Sequence, residues 1–331
     1  MNDENLTIFD AIHKADDVIN KKGYDRIAVS ISGGADSDVM MDLIYKADKG
    51  HKVHYIWFDT GIEYEATKRH LAYLEDRYGV QIERERAIKS IPISVHEYGI
   101  PFISKYVSEM IWRCQRHGFQ WDDITFEEAQ KKHEGMTCAN KWWCSCYSKI
   151  DDDRKQSHFD INYNSYLKEF MIANPIPFKV SNKCCLYAKK NVSKKYIEDH
   201  DIQLMITGIR KSEGGVRSIS YSSCFNVAAN GVAYYRPMFW MTDADKAEYD
   251  KEFNIVHSDC YTVYGMKRTG CAGCPYNRHI LQELNEIQFF EPKLYRACWN
   301  LFGESYEYTR KYREFQKEMK LKRKNNHDNN K

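Results

Sequence analysis

No run of about 18 uninterrupted apolar residues occurs in the chain, and residues 1–9 lack the basic start and long apolar stretch of an export signal. A membrane span and secretion are both set aside on this reading, and the protein is expected in the cytosol. Charge of one sign is lacking too, since 49 Lys and Arg face 47 Asp and Glu for a formal net charge of +2. No whole-chain field therefore calls for nucleic acid. The one lopsided stretch is the end, where Lys317, Lys320, Lys322, Arg323 and Lys324 precede an Asn-rich tail. It reads as a solvated helix end, with a nucleic-acid contact as the alternative. Internal repeats with a period of about 20–50 residues are absent, which excludes solenoids and propellers.

What is present in number is cysteine. Eleven cysteines without an export signal do not suit a disulfide framework, because cytosolic thiol buffers keep such groups reduced. Metal or redox use becomes the leading explanation. With 43% hydrophobic and 29% charged residues, the 331-residue chain is an ordinary globular one, which excludes disorder and favours one core with additions.

Residues 26–31 (RIAVSI) form a β-branched apolar run that stops at Ser-Gly-Gly, after which Val39, Met40, Leu43 and Ile44 recur at helical spacing. A second run at residues 53–58 (VHYIWF) ends at Asp59-Thr60-Gly61, and a helical pattern follows from 63 to 78. The alternation repeats at 80–86 and 204–209, so a parallel sheet covered by helices is expected, with ligands at the carboxyl ends of its strands. Residues 100–177 break the pattern with aromatic residues, Cys114, Cys138, Cys144 and Cys146, and an acidic triplet at 151–153; they read as an insertion or lid. Helical spacing returns over 243–253 and 291–324.

Between strand and helix lies Ser30-Ile31-Ser32-Gly33-Gly34-Ala35-Asp36-Ser37. Free backbone N–H groups and a helix dipole favour an anion there, the two glycines allow close approach and positive φ, and the hydroxyls of Ser30, Ser32 and Ser37 add donors. Neither G-x-x-x-x-G-K-[ST] nor G-x-G-x-x-G fits. The string S-G-G-x-D-S resembles the pyrophosphate loop of the N-type ATP pyrophosphatases, which cleave ATP between the α and β phosphates to adenylate a substrate. Asp59-Thr60-Gly61-Ile62-Glu63 with Thr67 resembles the D-T-G-x-E-x-x-x-T stretch of the phosphoadenosine-phosphosulfate (PAPS) reductase branch of that superfamily. Gly208-Ile209-Arg210-Lys211-Ser212-Glu213 followed by Arg217 resembles its G-x-R-x-x-E-x-x-x-R run. Guanidinium forks match oxyanions, so Arg210 and Arg217 are the expected clamps.

Cys184 and Cys185 are adjacent, and Cys271 and Cys274 form C-x-x-C with Gly273 inside and Pro275 behind. Such a knuckle suits four-thiolate ligation of zinc or of an iron-sulfur cluster. Adjacent cysteines joined to a distant C-x-x-C resemble the 4Fe-4S forms of the adenylylsulfate reductases, which implies a 4Fe-4S cluster on Cys184, Cys185, Cys271 and Cys274. Cys138, Cys144 and Cys146 have no familiar metal spacing and read as structural thiols, with a sulfur-carrying role as the alternative.

The resemblance spans residues 26–274 and departs at one place. The assimilatory reductases carry a nucleophilic cysteine in an E-C-G-[IL]-H tail, and nothing after Cys274 matches it; Cys298, the one later thiol, sits on an apolar helical pattern. An intact ATP loop with a cluster and no tail nucleophile is most similar to the sulfur-transfer proteins of DNA phosphorothioation and to cluster-bearing nucleic-acid thiolases. The resemblance implies an α/β fold of the adenine nucleotide alpha hydrolase type, a parallel twisted sheet flanked by helices with a helical C-terminal extension. The expected pieces are residues 1–99 (nucleotide-binding half), 100–180 (insertion), 181–275 (rest of the core, with the cysteines) and 276–331 (helical extension). ATP is expected on Ser30, Ser32, Gly33, Gly34, Asp36, Ser37, Asp59, Thr60, Gly61, Glu63, Gly208 and Arg210, with magnesium on Asp36, a hard oxygen ligand. The expected activity is ATP cleavage to AMP and pyrophosphate, adenylating an acceptor for sulfur transfer, with Asp36, Arg210 and Arg217 catalytic. Nucleic acid is one candidate acceptor; the sulfur donor is not named by the sequence. The rivals are a sulfonucleotide reductase and a non-catalytic nucleotide- or DNA-binding component with a structural cluster.

Overall fold

The computed structural model describes residues 5–148, 156–214 and 220–328, with side chains up to 325. The chain divides into two units, Met1–Ser90 with Tyr187–Ala272 and Ile91–Leu186 with Gly273–Lys331. All of residues 100–180 and of 276–331 thus share the second unit.

The first unit is built on six strands: β1 Ile27–Ile31, β2 Val53–Asp59, β3 Ile82–Arg86, β4 Leu204–Ile206, β5 Phe225–Val227 and β6 Ala233–Tyr235. Their order is β3-β2-β1-β4-β6-β5, parallel throughout except for β5, which runs antiparallel to β6. The expected parallel sheet flanked by helices is present. β1 is apolar but for Ser30 because both its faces are covered. Ile27, Val29 and Ile31 point into a core with Val39, Met40, Leu43 and Ile44 of helix Ala35–Ala47. Ala28 points the other way, to Tyr196 and Ile197 of helix Asn191–Asp199. β2 and β3 extend the sheet on one side of β1, and β4 and β6 on the other. The strand order therefore reverses between β1 and β4, the crevice where open α/β sheets take ligands.

The second unit is helical. Helices Lys105–Arg116, Thr137–Trp143 and Leu167–Ala173 and the long Pro292–Asp328 share a core of Phe102, Ile111, Trp142, Trp143, Phe170, Tyr308 and Tyr312. The insertion is thus a packed helical body with its own aromatic core, into which Cys114 is folded. Tyr308 and Tyr312 anchor the long helix by donating to the carbonyls of Asn174 and Ser165 at 2.6 and 2.8 Å. Among the described residues no helix is long and apolar enough to cross a membrane.

Candidate functional site

The loop after β1 is shaped by its own hydroxyls. Ser32 N donates to Ser37 Oγ at 2.9 Å and Gly34 N donates to Ser32 Oγ at 3.3 Å. Gly33 has φ +66°, and a Cβ there would stand 2.9 Å from Thr67 Cγ2, so glycine is required. Gly34 differs from expectation, with φ −96° as the N-cap of helix Ala35–Ala47. Its constraint is proximity: a Cβ would lie 3.2 Å from Tyr261 Oη and 3.3 Å from Thr269 Oγ1. No side chain caps this helix, so its first turn keeps the amide donors and positive dipole end that attract oxyanions.

The loop after β4 packs on that first turn. A Cβ on Gly208 would meet the Asp36 carbonyl oxygen at 3.4 Å and Met40 Sδ at 3.5 Å. Arg210, 7% exposed, donates from Nε to Asp36 Oδ1 at 3.0 Å and from Nη1 to Asp243 Oδ1 at 2.8 Å and Ser212 Oγ at 2.9 Å. Burial raises the Asp36 carboxyl above its ordinary range, with Arg210 opposing. Arg210 thus holds a carboxylate, with the fork an oxyanion clamp would use turned largely to Asp36 and Asp243. Arg217 lies outside the described residues, as does the acidic triplet at 151–153. Glu213 accepts from Arg210 N at 3.1 Å and from Arg268 Nη2 at 3.0 Å.

The loop after β2 closes on itself. Asp59 accepts from Gly61 N at 2.9 Å and from Arg84 Nε at 2.8 Å, while Glu63 accepts from Thr60 N at 3.1 Å. Burial raises the Glu63 carboxyl, with Thr60 opposing. Ser30 lies on β1 itself, so the residues proposed for the nucleotide stand at the carboxyl ends of β1, β2 and β4.

Two groups of residues escaped the sequence reading. Tyr261 Oη hydrogen-bonds Thr269 Oγ1 at 2.8 Å, and both hydroxyls border Gly34. Beneath the loop, the fully buried Asp38 takes His70 Nε2 at 2.9 Å and His257 Nδ1 at 2.8 Å, and His257 Nε2 lies 3.1 Å from Asp250, itself paired with Lys246. Burial opposes charge on His257, but Asp250 and Asp38 win and push it up to about 9. The available signal was the pair Asp38 and Asp42, one turn apart and buried beside Val39, Met41 and Leu43.

Cys184 and Cys185 stand on the helical turn Lys183–Cys185, which runs on through a π-type turn, Leu186–Lys190, into helix Asn191–Asp199. Cys271 belongs to the first unit and Cys274 to the second. Gly273 has φ +62°, and a Cβ there would stand 2.6 Å from Tyr306 Oη and 2.7 Å from Cys298 Sγ. Tyr306 Oη donates to the Gly273 carbonyl. Burial holds the Tyr276 hydroxyl well above its ordinary range, and the thiols of Cys184, Cys185 and Cys274 add to this. Thiols on a tight glycine turn suit a soft metal centre chemically. Among the described residues, however, no three His, Cys, Asp or Glu side chains converge as a ligand group. Cys298 and Cys144 are poor nucleophiles, because thiolate is the reactive form and burial disfavours it in both. Cys298 is fully buried, which pushes it up to about 12. Burial and then Cys146 push Cys144 up to about 11.

The phosphoadenosine phosphosulfate reductase domain family matches residues 26–117. An uncharacterized protein of Methanocaldococcus jannaschii is 38% identical over 85 residues, 24% of this chain and 17% of that protein, so the chain spans a small part of that relative's length. Among solved structures, the phosphoadenylyl-sulfate reductase of Candida auris, as a phosphate complex, is 13% identical over 81% of this chain and 95% of its own, with a TM-score of 0.42. The U34-tRNA thiolase NcsA of Methanococcus maripaludis, with its [4Fe-4S] cluster, is 10% identical over 92% of this chain and 79% of its own, with a TM-score of 0.39. Likenesses of that size carry no argument about chemistry. By sequence, residues 26–117 are similar to the phosphoadenosine phosphosulfate reductase domain family, as the resemblance in the loops after β1 and β2 implied.

Proposed function

We propose that the chain binds ATP on the loop after β1, cleaves it between the α and β phosphates, and adenylates an acceptor that then receives sulfur. The observation that carries this reading is the junction at the switch point. There the uncapped first turn of helix Ala35–Ala47, the glycines 33 and 34, and Asp36 fixed by Arg210 meet the loop after β4. An acceptor oxygen would form its bond to the α-phosphorus as the bond to the β-phosphate oxygen breaks and pyrophosphate leaves. The amides of the first turn, with Ser32, Ser37, Tyr261 and Thr269, would hold the phosphate oxygens. Asp36 would hold magnesium, its orientation set by Arg210.

Cys184, Cys185, Cys271 and Cys274 are proposed to hold a 4Fe-4S cluster, which when bound would tie the four thiolates into one rigid site. Gly273 fixes the turn between the last two, and Tyr306 fixes Gly273. A sulfonucleotide reductase needs an accessible nucleophilic thiol late in the chain, and the burial of Cys298 counts against that reading. The test is a side-by-side assay, anaerobic and with thioredoxin supplied, of pyrophosphate release from ATP and of sulfite release from adenylylsulfate or its 3′-phosphate. Acceptor-dependent pyrophosphate without sulfite is expected. Sulfite at an ordinary enzymic rate of roughly 1 per second or more would overturn the proposal.

A further inference from the structure

Two arginines are buried among the described residues, Arg210 at 7% exposure and Arg236 at 3%. Their surroundings differ in one respect that matters. Arg210 is neutralised twice, by Asp36 and Asp243. Arg236 has no carboxylate among the described residues. Its Nη1 donates to the amide oxygen of Asn226 at 2.9 Å, its guanidinium lies 3.7 Å from the centre of the Tyr221 ring, and its buried Nε has no hydrogen-bond partner.

A guanidinium cannot shed its charge as a buried lysine or histidine can. Neither an amide dipole nor a ring face replaces a counter-charge, so holding this group out of water is costly unless an anion joins it. Its place in the fold says where that anion comes from. Arg236 directly follows β6, whose last carbonyl, on Tyr235, accepts from Thr207 N at 3.0 Å; Lys211 N donates to the Phe239 carbonyl at 2.9 Å. Residues 236–239 therefore run beside the loop after β4, at the carboxyl end of the sheet, where ligands of such folds bind. The backbone is fastened there by Arg236 N, which donates to the Cys224 carbonyl at 2.7 Å.

We infer that Arg236 is the centre of a second oxyanion site, separate from the loop after β1, which takes a sulfate or phosphate group on the Nε edge of its guanidinium. Tyr221, half-buried over the guanidinium face, is its cover. The site does not depend on the proposed ATP chemistry, since it rests on an uncompensated charge and would serve any substrate carrying such a group.

The test is thermal unfolding of the full chain in sodium chloride against sodium sulfate, sodium phosphate or AMP at equal ionic strength. Wild type, Arg236→Met, Arg236→Lys and Gly34→Val are compared. General salting-in or salting-out by sulfate acts on all four alike. Specific binding should add a rise of about 3 °C in wild type and Gly34→Val. Arg236→Met should show no such increment and should unfold at a higher temperature than wild type in chloride, having lost an unneutralised charge. Arg236→Lys, which keeps the charge without the fork, should retain only part of the increment, and so keeps the test alive if Arg236→Met fails to fold. A larger Arg236-dependent rise with AMP than with either free ion would assign the group to a nucleotide phosphate. An equal rise in Arg236→Met, or none in wild type, would overturn the inference.

Discussion

The loop after β1 and the Cys271-to-Cys274 turn are both bent by a glycine of positive φ, Gly33 and Gly273, yet what closes around them differs in kind. Around the loop stand hydroxyls and amides: Ser32, Ser37, Thr269, Tyr261 and the open end of a helix. Around Gly273 stand the ring of Tyr306 and the buried thiol of Cys298. Polar donors in the first place suit the oxygens of a polyphosphate, whereas the second is sealed by a ring and an un-ionised thiol that fix the turn between Cys271 and Cys274. One bend thus carries two different linings.

The comparison breaks most visibly at Gly273. A Cβ there meets Tyr306 and Cys298 at under 3 Å with the backbone held at φ +62°, so Gly273→Ala should cost about 2–5 kcal/mol in urea unfolding. An alanine variant as stable as wild type would mean that the turn is loosely held.

Next in size is the charge network beneath the loop. The His257 imidazole, held near 9 against an ordinary 6.5, stabilises the fold fully below pH 6.5, and the contribution fades as pH rises through about 9. His257→Gln should lose about 1–3 kcal/mol at pH 6 and converge on wild type above pH 9. A constant difference across that range would show that the ring acts by packing.

The smallest effect belongs to Tyr261. Removing its hydroxyl should weaken ATP binding about 3- to 10-fold, on the order of one hydrogen bond, with little change in stability. Unchanged affinity in Tyr261→Phe would remove this ring from the phosphate lining.

These regions were not equally legible in the sequence. Residues 32–37 could be read because the hydrogen bonds that shape the loop are local, two and five residues apart, and glycine and serine advertise them. The β1, β2 and β4 runs were readable for a similar reason: burial on both faces leaves a mostly apolar string, broken only at Ser30, His54 and the terminal Asp59. The Asp38 network was not readable, since its partners are 32 and 219 residues away and nothing in their neighbourhoods marks them. The β5–β6 hairpin escaped because its strands have three residues each, too short for a period to show. Arg210 was recognised by spacing but given an oxyanion, whereas the fold supplies Asp36 and Asp243, the latter from a helix far along the chain. Cys184, Cys185, Cys271 and Cys274 were legible as a pattern, and sequence spacing does not bring four thiols together in space.

The most direct measurement of the central claim, that the loop after β1 is the ATP site, is isothermal titration of ATP with magnesium into wild type and Gly34→Val. A valine there drives methyl groups into the space bounded by Tyr261, Thr269 and Ser32, where a phosphate approaches the backbone, while the sheet beneath is untouched. The account predicts binding to wild type and a loss of at least about 10-fold in the variant, with unfolding temperatures that differ little. Equal affinity in the two proteins would contradict it and reduce residues 32–37 to a turn between strand and helix.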